Sequence, residues 1–284
     1  MFAIISAVIY GCMPLMAKRI YNLGVNPMTL VLLRNLLAVP ILAVLAHTSG
    51  QSLKISLKAL PNVSLIAFFG CCATPVLLFS AYNFIPSGTA TVFHFVYPAL
   101  VVLAGILFFK HPINKGNIVA VALCFLGIVM FYDPGAVLNL QGSGLALLSG
   151  VTFAVYVLLL SNPANSSLSG IRFTFYTSAI SSVIMLIGCL ISGQLSLPNS
   201  VEGWVCCIIF AMAVTVGAVM LFQQGTFLIG GERTSILSAL EPITGVLIGA
   251  LFMGEKLSLG VAVGSALVVL ASILTVLTDT RKNI

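Results

Sequence analysis

The sequence contains an internal duplication. When the chain is shifted by 144 positions against itself, Pro98 aligns with Pro242 and Gly116 aligns with Gly260, and further identities follow without a gap. Each copy holds five hydrophobic spans. Because five is an odd number, two such copies in one chain must enter a bilayer from opposite sides. Inverted repeats of this kind are the architecture that many secondary transporters use.

The composition indicates an integral membrane protein. Of 284 residues, 60% are hydrophobic and only 6% are charged, whereas soluble domains have about 25% charged residues. A spanning helix needs about 20 apolar residues, so ten spans occupy nearly the whole chain. We predict an all-α fold of ten transmembrane helices, arranged as two inverted five-helix repeats over residues 1–137 and 138–284. The predicted spans are 2–17, 28–47, 62–84, 87–109, 115–132, 143–160, 170–192, 202–223, 232–253 and 258–278.

The basic residues predict orientation, not nucleic-acid binding. The net charge is +6, but the Lys and Arg residues lie at span ends and not on one face. With the N-terminus inside, eight fall on the inner side and three on the outer side. This asymmetry favours two cytoplasmic termini, although the pair Lys18 and Arg19 argues for the opposite. We expect a retained first helix and a location in the bacterial plasma membrane.

Glu241 is the most informative side chain. It lies about ten residues inside a hydrophobic span, where a charged carboxylate is costly unless it is paired, hydrated or protonated. It is therefore expected to face the interior, as a site for a substrate amine or for a coupled proton. A structural role remains open, because the helix break expected at Pro242 leaves backbone groups to be satisfied.

Two polar stripes indicate one cavity. Thr91, His94 and Tyr97 have the spacing i, i+3, i+6, which keeps them on one side of a helix. Their counterparts in the second copy are Ser235, Ser238 and Glu241. Each stripe ends at a proline, and we expect the two stripes to form walls of a water-accessible cavity. His94 could bind substrate or could be a satisfied interior histidine.

Other polar and aromatic residues could complete this cavity. Amphipathic rings suit small organic ligands, although aromatic residues in membrane helices also serve packing. One of Gln223 and Gln224 is expected to reach the cavity and the other a backbone group. Arg34 is expected to extend toward the membrane surface or to bond carbonyls between helices, with contact to substrate as the less favoured alternative. The predicted substrate-binding residues are Glu241, His94, Tyr97, Ser238, Gln223, Tyr82, Tyr10 and Tyr156.

The residues resemble those of a known family. The segment PSGTATVFHFVYP at 86–98, its partner SILSALEP at 235–242 and Arg34 within LLRN are similar to segments of EamA-type members of the drug/metabolite transporter superfamily. The resemblance covers almost the whole chain. It implies ten helices, a central cavity between two halves, and export of amino acids or other small metabolites.

The leading interpretation is a secondary transporter of amino acids or related amines that works by alternating access. A proton-coupled exporter of cationic amphiphiles and a non-alternating channel remain alternatives. An enzyme is not expected, since paired catalytic groups are missing, and no nucleotide-binding or metal-binding motif is present. The expected partners are a small-molecule substrate and the lipid bilayer. Coupling of transport to protons and a homodimer stay open, and no cofactor or nucleic acid is expected.

Overall fold

A computed structural model describes residues 1–109, 115–130, 139–162, 165, 169–238, 240–252, 254 and 258–280. The predicted boundary between residues 137 and 138 lies outside the described residues. Within the described ranges the regular structure is entirely helical. The α-helices are α1 Phe2–Asn22, α2 Pro27–Thr48, α3 Leu60–Ile66, α4 Thr74–Ala81, α5 Ser87–His94, α6 Tyr97–Phe109, α7 Lys115–Val129, α8 Leu140–Leu160, α9 Gly170–Ser192, α10 Val201–Phe210, α11 Met220–Ile229, α12 Gly231–Leu237, α13 Leu240–Phe252 and α14 Leu259–Thr280.

Eight helical segments in the described ranges are long and apolar enough to cross a membrane, and two shorter apolar helices accompany them. The eight are Phe2–Asn22, Pro27–Thr48, Leu57–Ala81, Ser87–Gly105, Leu140–Leu160, Gly170–Ser192, Val201–Ile229 and Arg233–Phe252. The shorter two are Ile118–Gly127 and Leu259–Ala271. These segments follow the predicted spans, and the protein is an integral membrane protein.

The first helix is longer than the sequence predicted. It was expected to end at residue 17, but α1 continues through Lys18 and Arg19 to Asn22. Both basic residues are good helix formers, and Arg19 forms an exposed ion pair with Glu202 of α10. A charged helix end at the membrane surface thus extends the span without burying charge.

Local irregularities recur at the repeat spacing. A π-helical segment covers Ala67–Ala73 between α3 and α4, and another covers Ala211–Val219 between α10 and α11. Their first residues are 211 − 67 = 144 positions apart. The fourth span breaks between His94 and Tyr97, and its counterpart breaks between Leu237 and Leu240. Both breaks come just before the aligned prolines, where a ring would clash with the preceding turn.

The helices α2 and α9, which correspond in the two copies, run antiparallel. Met28, near the start of α2, accepts a weak hydrogen bond from Ser192 at the end of α9. Just beyond the end of α2, Gln51 accepts a hydrogen bond of 2.5 Å from Ser169 at the start of α9. The two helices therefore contact each other along their lengths in opposite directions.

The helix α9 shows how the fold divides its surface. Its polar residues Thr177 and Ser181 are fully buried, while Val183, Ile187 and Leu190 are more than half exposed. The buried hydroxyls donate to backbone carbonyls, including that of Ala67 in the first π segment. Small polar residues inside and apolar residues outside are the pattern expected where lipid replaces water.

Candidate functional site

A cavity with an empty volume of about 370 Å³ lies among the central parts of six spans. It lies near the midpoints of α1 and α8, which places it at mid-membrane, where secondary transporters bind substrate. The lining residues are Tyr10, Met13, Arg34, Gly70, Thr74, Pro75, Leu78, His94, Phe153 and Glu241.

The sequence brings α1 and α13 together at a glycine. An added Cβ on Gly11 would lie 2.4 Å from Cβ of Thr244 and 3.0 Å from the carbonyl oxygen of Glu241. Only a residue without a side chain permits this approach. The contact sets the position of Glu241, which begins the first turn of α13 just after the helix break.

Glu241 faces the cavity without a protein partner. Its side chain is 5% exposed, and no described residue forms a hydrogen bond or ion pair with its carboxylate. It lies close enough to Tyr10 for the two to interact electrostatically. A buried carboxylate without a partner is costly unless a ligand, water or proton satisfies it, so this group is placed to bind a cation or a proton.

Arg34 also lines the cavity, contrary to the expectation that it reaches the membrane surface. It is the eighth residue of α2, about 10 Å from the start of the helix at 1.5 Å per residue. Its exposed fraction is only 3%, and its Nε has no hydrogen-bond partner. The Arg34 Cζ lies 5.7 Å from the centroid of the Phe79 ring, within the range of cation–π contacts. Packing against Phe79 keeps the side chain inside.

His94 is held in one tautomer. Ser149 donates its hydroxyl proton to the carbonyl of Ala146 at 2.6 Å, and with that assignment of the hydrogen-bond network its oxygen accepts from Nδ1 of His94, at 2.8 Å. A neutral imidazole with its proton on Nδ1 has Nε2 as an acceptor. The ring centroid lies 5.2 Å from that of Phe153, and both side chains line the cavity.

Several predicted site residues surround the cavity without lining it. Tyr97 is fully buried and contacts the ring of Phe153 at 4.6 Å between centroids. Tyr156 is 5.2 Å from the same ring, and Tyr82 is buried beside Phe79. These three are not among the lining residues, and they support those that are.

The polar stripes are only partly directed at the cavity. Ser238 donates to the carbonyl of Thr234 at 2.9 Å, and Thr91 donates to its own i−4 carbonyl in the same way. Gln223 accepts from Thr174 at 2.7 Å, while Gln224 accepts from the backbone N–H of Gly170. The stripes thus contribute one lining residue each, His94 and Glu241. The hydroxyls of Thr91 and Ser238 satisfy helix carbonyls, whereas that of Ser235 has no partner among the described residues.

The third span supplies lining residues that sequence reasoning missed. Gly70 lies in the first π segment, and an added Cβ there would be 2.1 Å from the ring of Tyr156. Thr74, Pro75 and Leu78 follow on the same span. Their signal in the sequence is the glycine and proline within one hydrophobic span, since π segments in helices often occur at functional sites.

Polar contacts join the two halves at both ends of α2. At its start, the Asn26 and Thr29 side chains donate to the carbonyl of Gln194 at 2.6 and 3.0 Å, and Thr29 accepts from the Ser196 N–H at 2.9 Å. We call this set (Asn26, Thr29, Gln194 and Ser196) the α2-start closure.

Beyond the end of α2, Tyr176 donates to the carbonyl of Leu53 at 2.7 Å, beside the contact of Ser169 with Gln51. We call this set (Gln51, Leu53, Ser169 and Tyr176) the α2-end closure. Because α2 has 22 residues, the two closures are about 30 Å apart along the helix axis. The cavity lies between them.

Comparison with known proteins agrees with this architecture. A model of the EamA-like transporter family matches residues 1–132 and again residues 140–277. An uncharacterized transporter of Archaeoglobus fulgidus is 28% identical over 152 residues, about half of each chain (54% of this chain and 53% of the relative). The uncharacterized transporter YcbK of Bacillus subtilis is 25% identical over 93% of this chain and 88% of its own.

A solved crystal structure has the same fold, with a TM-score of 0.74 at 14% identity, covering 98% of this chain and 97% of the other. At such low sequence identity, the similarity establishes a shared fold and does not extend to function. The two family matches together cover nearly the whole chain. The chain therefore belongs to the EamA-like transporter family and is an integral membrane transporter of small molecules.

Proposed function

We propose that this protein is a secondary transporter that exports amino acids or related amine-containing metabolites by alternating access. The observation that carries the proposal is the Glu241 carboxylate, which faces a cavity between the middles of the spans and has no partner among the described residues. An ammonium group would satisfy that carboxylate by charge-assisted hydrogen bonds. The neutral His94, with Nε2 as an acceptor, adds a second group suited to an N–H donor.

Alternating access requires two related halves that move against each other, and we propose two inverted repeats of five spans for this role. Four observations support them: the antiparallel contact of α2 with α9, the two π segments 144 residues apart, the matching helix breaks, and the two matches of the family model. The α2-start and α2-end closures both join residues of the first repeat to residues of the second.

Glu241 can also couple transport to protons. A carboxylate binds either a proton or a substrate ammonium group strongly, but not both at once. Protonation from one side would release the substrate, and loss of the proton on the other side would allow the next substrate to bind. This competition produces exchange of substrate for proton without a second ionisable site.

The test uses purified protein in vesicles with an imposed pH gradient. In the Glu241→Gln variant, uptake of a labelled amino acid driven by the gradient should be abolished, while exchange at saturating substrate continues. Gln keeps an oxygen acceptor but cannot take up a proton in this range. The matched control is Glu202→Gln, which alters a carboxylate that is 54% exposed and should preserve gradient-driven uptake.

Gradient-driven uptake that is unchanged in Glu241→Gln would reject proton coupling at this residue. Counterflow tests the carrier mechanism separately: unlabelled amino acid inside the vesicles should accelerate uptake of labelled amino acid. A channel would show no such acceleration. A binding screen that found quaternary amines but no amino acids would instead identify an exporter of cationic amphiphiles.

A further inference from the structure

The cavity contains a second charged group that has no ion-pair partner among the described residues. The Arg34 side chain is 97% buried (exposed fraction 3%) and lines the same cavity as Glu241. Its Nε has no hydrogen-bond partner, and among the described residues no ion pair within 4.0 Å reaches its guanidinium. A guanidinium has five N–H donors and no acceptor, so the chain leaves a strong donor group unsatisfied within the membrane.

Arg34 and Glu241 do not satisfy each other. Both side chains line one cavity, yet no ion pair within 4.0 Å joins them. Tyr10 lies within electrostatic reach of both. When Glu241 is ionised, the cavity therefore has two separate charges of opposite sign. A ligand that matches it has a cationic group and an anionic group at different positions.

We propose that Arg34 binds the carboxylate of a zwitterionic amino acid whose amine faces Glu241. This inference rests on the proposed function, and it restricts the proposed substrates from amines in general to zwitterionic amino acids. Arginine matches a planar carboxylate with two parallel N–H···O bonds, and it is more weakly hydrated than lysine. Met13, Leu78 and Phe153 supply apolar lining for the side chain of the substrate.

The assignment predicts selectivity of a definite kind. An amine without a carboxylate leaves Arg34 unsatisfied, and a carboxylate without an amine leaves Glu241 unsatisfied. Sites with buried polar groups discriminate strongly against ligands that leave those groups unpaired. The transporter should therefore prefer free amino acids to their amides and to simple amines.

The experiment measures the binding of leucine, phenylalanine and threonine, each beside its carboxamide, to purified full-length protein. Wild-type protein should bind at least one free amino acid about tenfold or more tightly than its amide, since hydrogen bonds to charged groups are the stronger ones. Arg34→Gln should remove that ratio by lowering the affinity for the free amino acid but not for the amide. Arg34→Lys should restore part of the ratio, because the positive charge returns without the planar fork.

The ratio of the affinity for a free amino acid to that for its amide distinguishes a carboxylate-binding Arg34 from an Arg34 with only a structural role. If Arg34 only stabilises the fold, Arg34→Gln will lower the affinities for amino acid and amide alike, which overturns the inference. Equal affinity of wild-type protein for both ligands also overturns it, while the proposed amino-acid transport survives. Failure of the wild-type protein to bind any free amino acid of the set rejects the proposed function itself.

Discussion

His94 shows how one hydrogen bond determines what a cavity side chain can do. Its Nδ1 donates to Ser149, whose own proton is given to Ala146. Nε2 is therefore kept as an acceptor, and a neutral acceptor beside an ionised carboxylate favours a donor-rich ligand such as an ammonium group. The function of the imidazole thus depends on a serine that does not line the cavity.

Replacement of Ser149 by alanine tests this dependence. Ser149→Ala should lower the free energy of unfolding by about 1 kcal/mol and weaken amino-acid binding several-fold, since the imidazole is no longer fixed in one tautomer. Thermal unfolding and binding to the purified protein measure the two effects. The control is Ser182→Ala, which removes a buried hydroxyl bonded only to the carbonyl of Ser178 on α9. Equal loss of affinity in both variants would contradict the role of Ser149.

At the residue scale, sequence reasoning located the cavity from its polar groups but did not resolve side-chain direction. Glu241, His94 and Tyr10 lie at the cavity, because ionisable and polar residues deep in a span face the interior of the helix bundle and not the lipid. Arg34 was interpreted differently because its depth allowed it to reach the surface. The Phe79 ring that keeps it inside comes from a different span, and helical spacing alone does not place that contact.

Glycines set the distances between elements around the cavity. Gly150 of α8 lies where an added Cβ would be 2.6 Å from the carbonyl oxygen of His94, so α8 packs directly against the break in the fourth span. Gly260 lies similarly close to the carbonyl of Met130. The contact at Gly245 is an ordinary one, with Thr91 at 3.6 Å.

The α1–α13 contact provides a prediction at the scale of elements. Gly11→Ala would place a methyl group 2.4 Å from Cβ of Thr244, so α13 must shift and carry Glu241 with it. The free energy of unfolding should fall by about 1–3 kcal/mol, the usual cost of overpacking, and amino-acid affinity should fall as well. Both are measured on the purified protein.

The matched control is Gly144→Ala on α8, where an added Cβ meets nothing within 4 Å. This variant should be unchanged or more stable by up to about 1 kcal/mol, because alanine is the better helix former. A Gly11→Ala variant with the same stability and affinity as Gly144→Ala would show that the close contact does not position Glu241.

Element positions were largely predictable from hydrophobic length, whereas their ends and internal breaks were not. Eight of the ten predicted spans match helices long and apolar enough to cross a membrane, because about 20 apolar residues suffice to cross a bilayer. The other two fall on the shorter apolar helices. The π segments and the extension of α1 to Asn22 depend on contacts with other helices, including the Arg19–Glu202 ion pair. Pro14 lies inside the continuous helix α1, so a proline within a span is not by itself enough to predict a helix break.

At the scale of the molecule, the two closures lie on either side of the cavity along α2. Each closure joins residues from before and after position 137, and the contacts are hydrogen bonds with backbone carbonyls and polar side chains. Such bonds contribute about 1 kcal/mol each. The proposed alternating-access cycle requires that each closure open in turn.

Cross-linking the two ends tests this cycle. The pair Thr29→Cys and Ser196→Cys, joined by a short thiol-reactive cross-linker, fixes the α2-start closure, and Gln51→Cys with Ser169→Cys fixes the α2-end closure. Either cross-link alone should abolish counterflow. Equilibrium binding of the amino acid should persist in each cross-linked protein, because the closure that is not cross-linked can still open. Single-cysteine variants treated with the same reagent control for modification of the native thiols, six of which are free in the described ranges. Counterflow that continues at the uncross-linked rate with one closure fixed would mean that substrate does not pass that end, and the alternating-access cycle would be rejected.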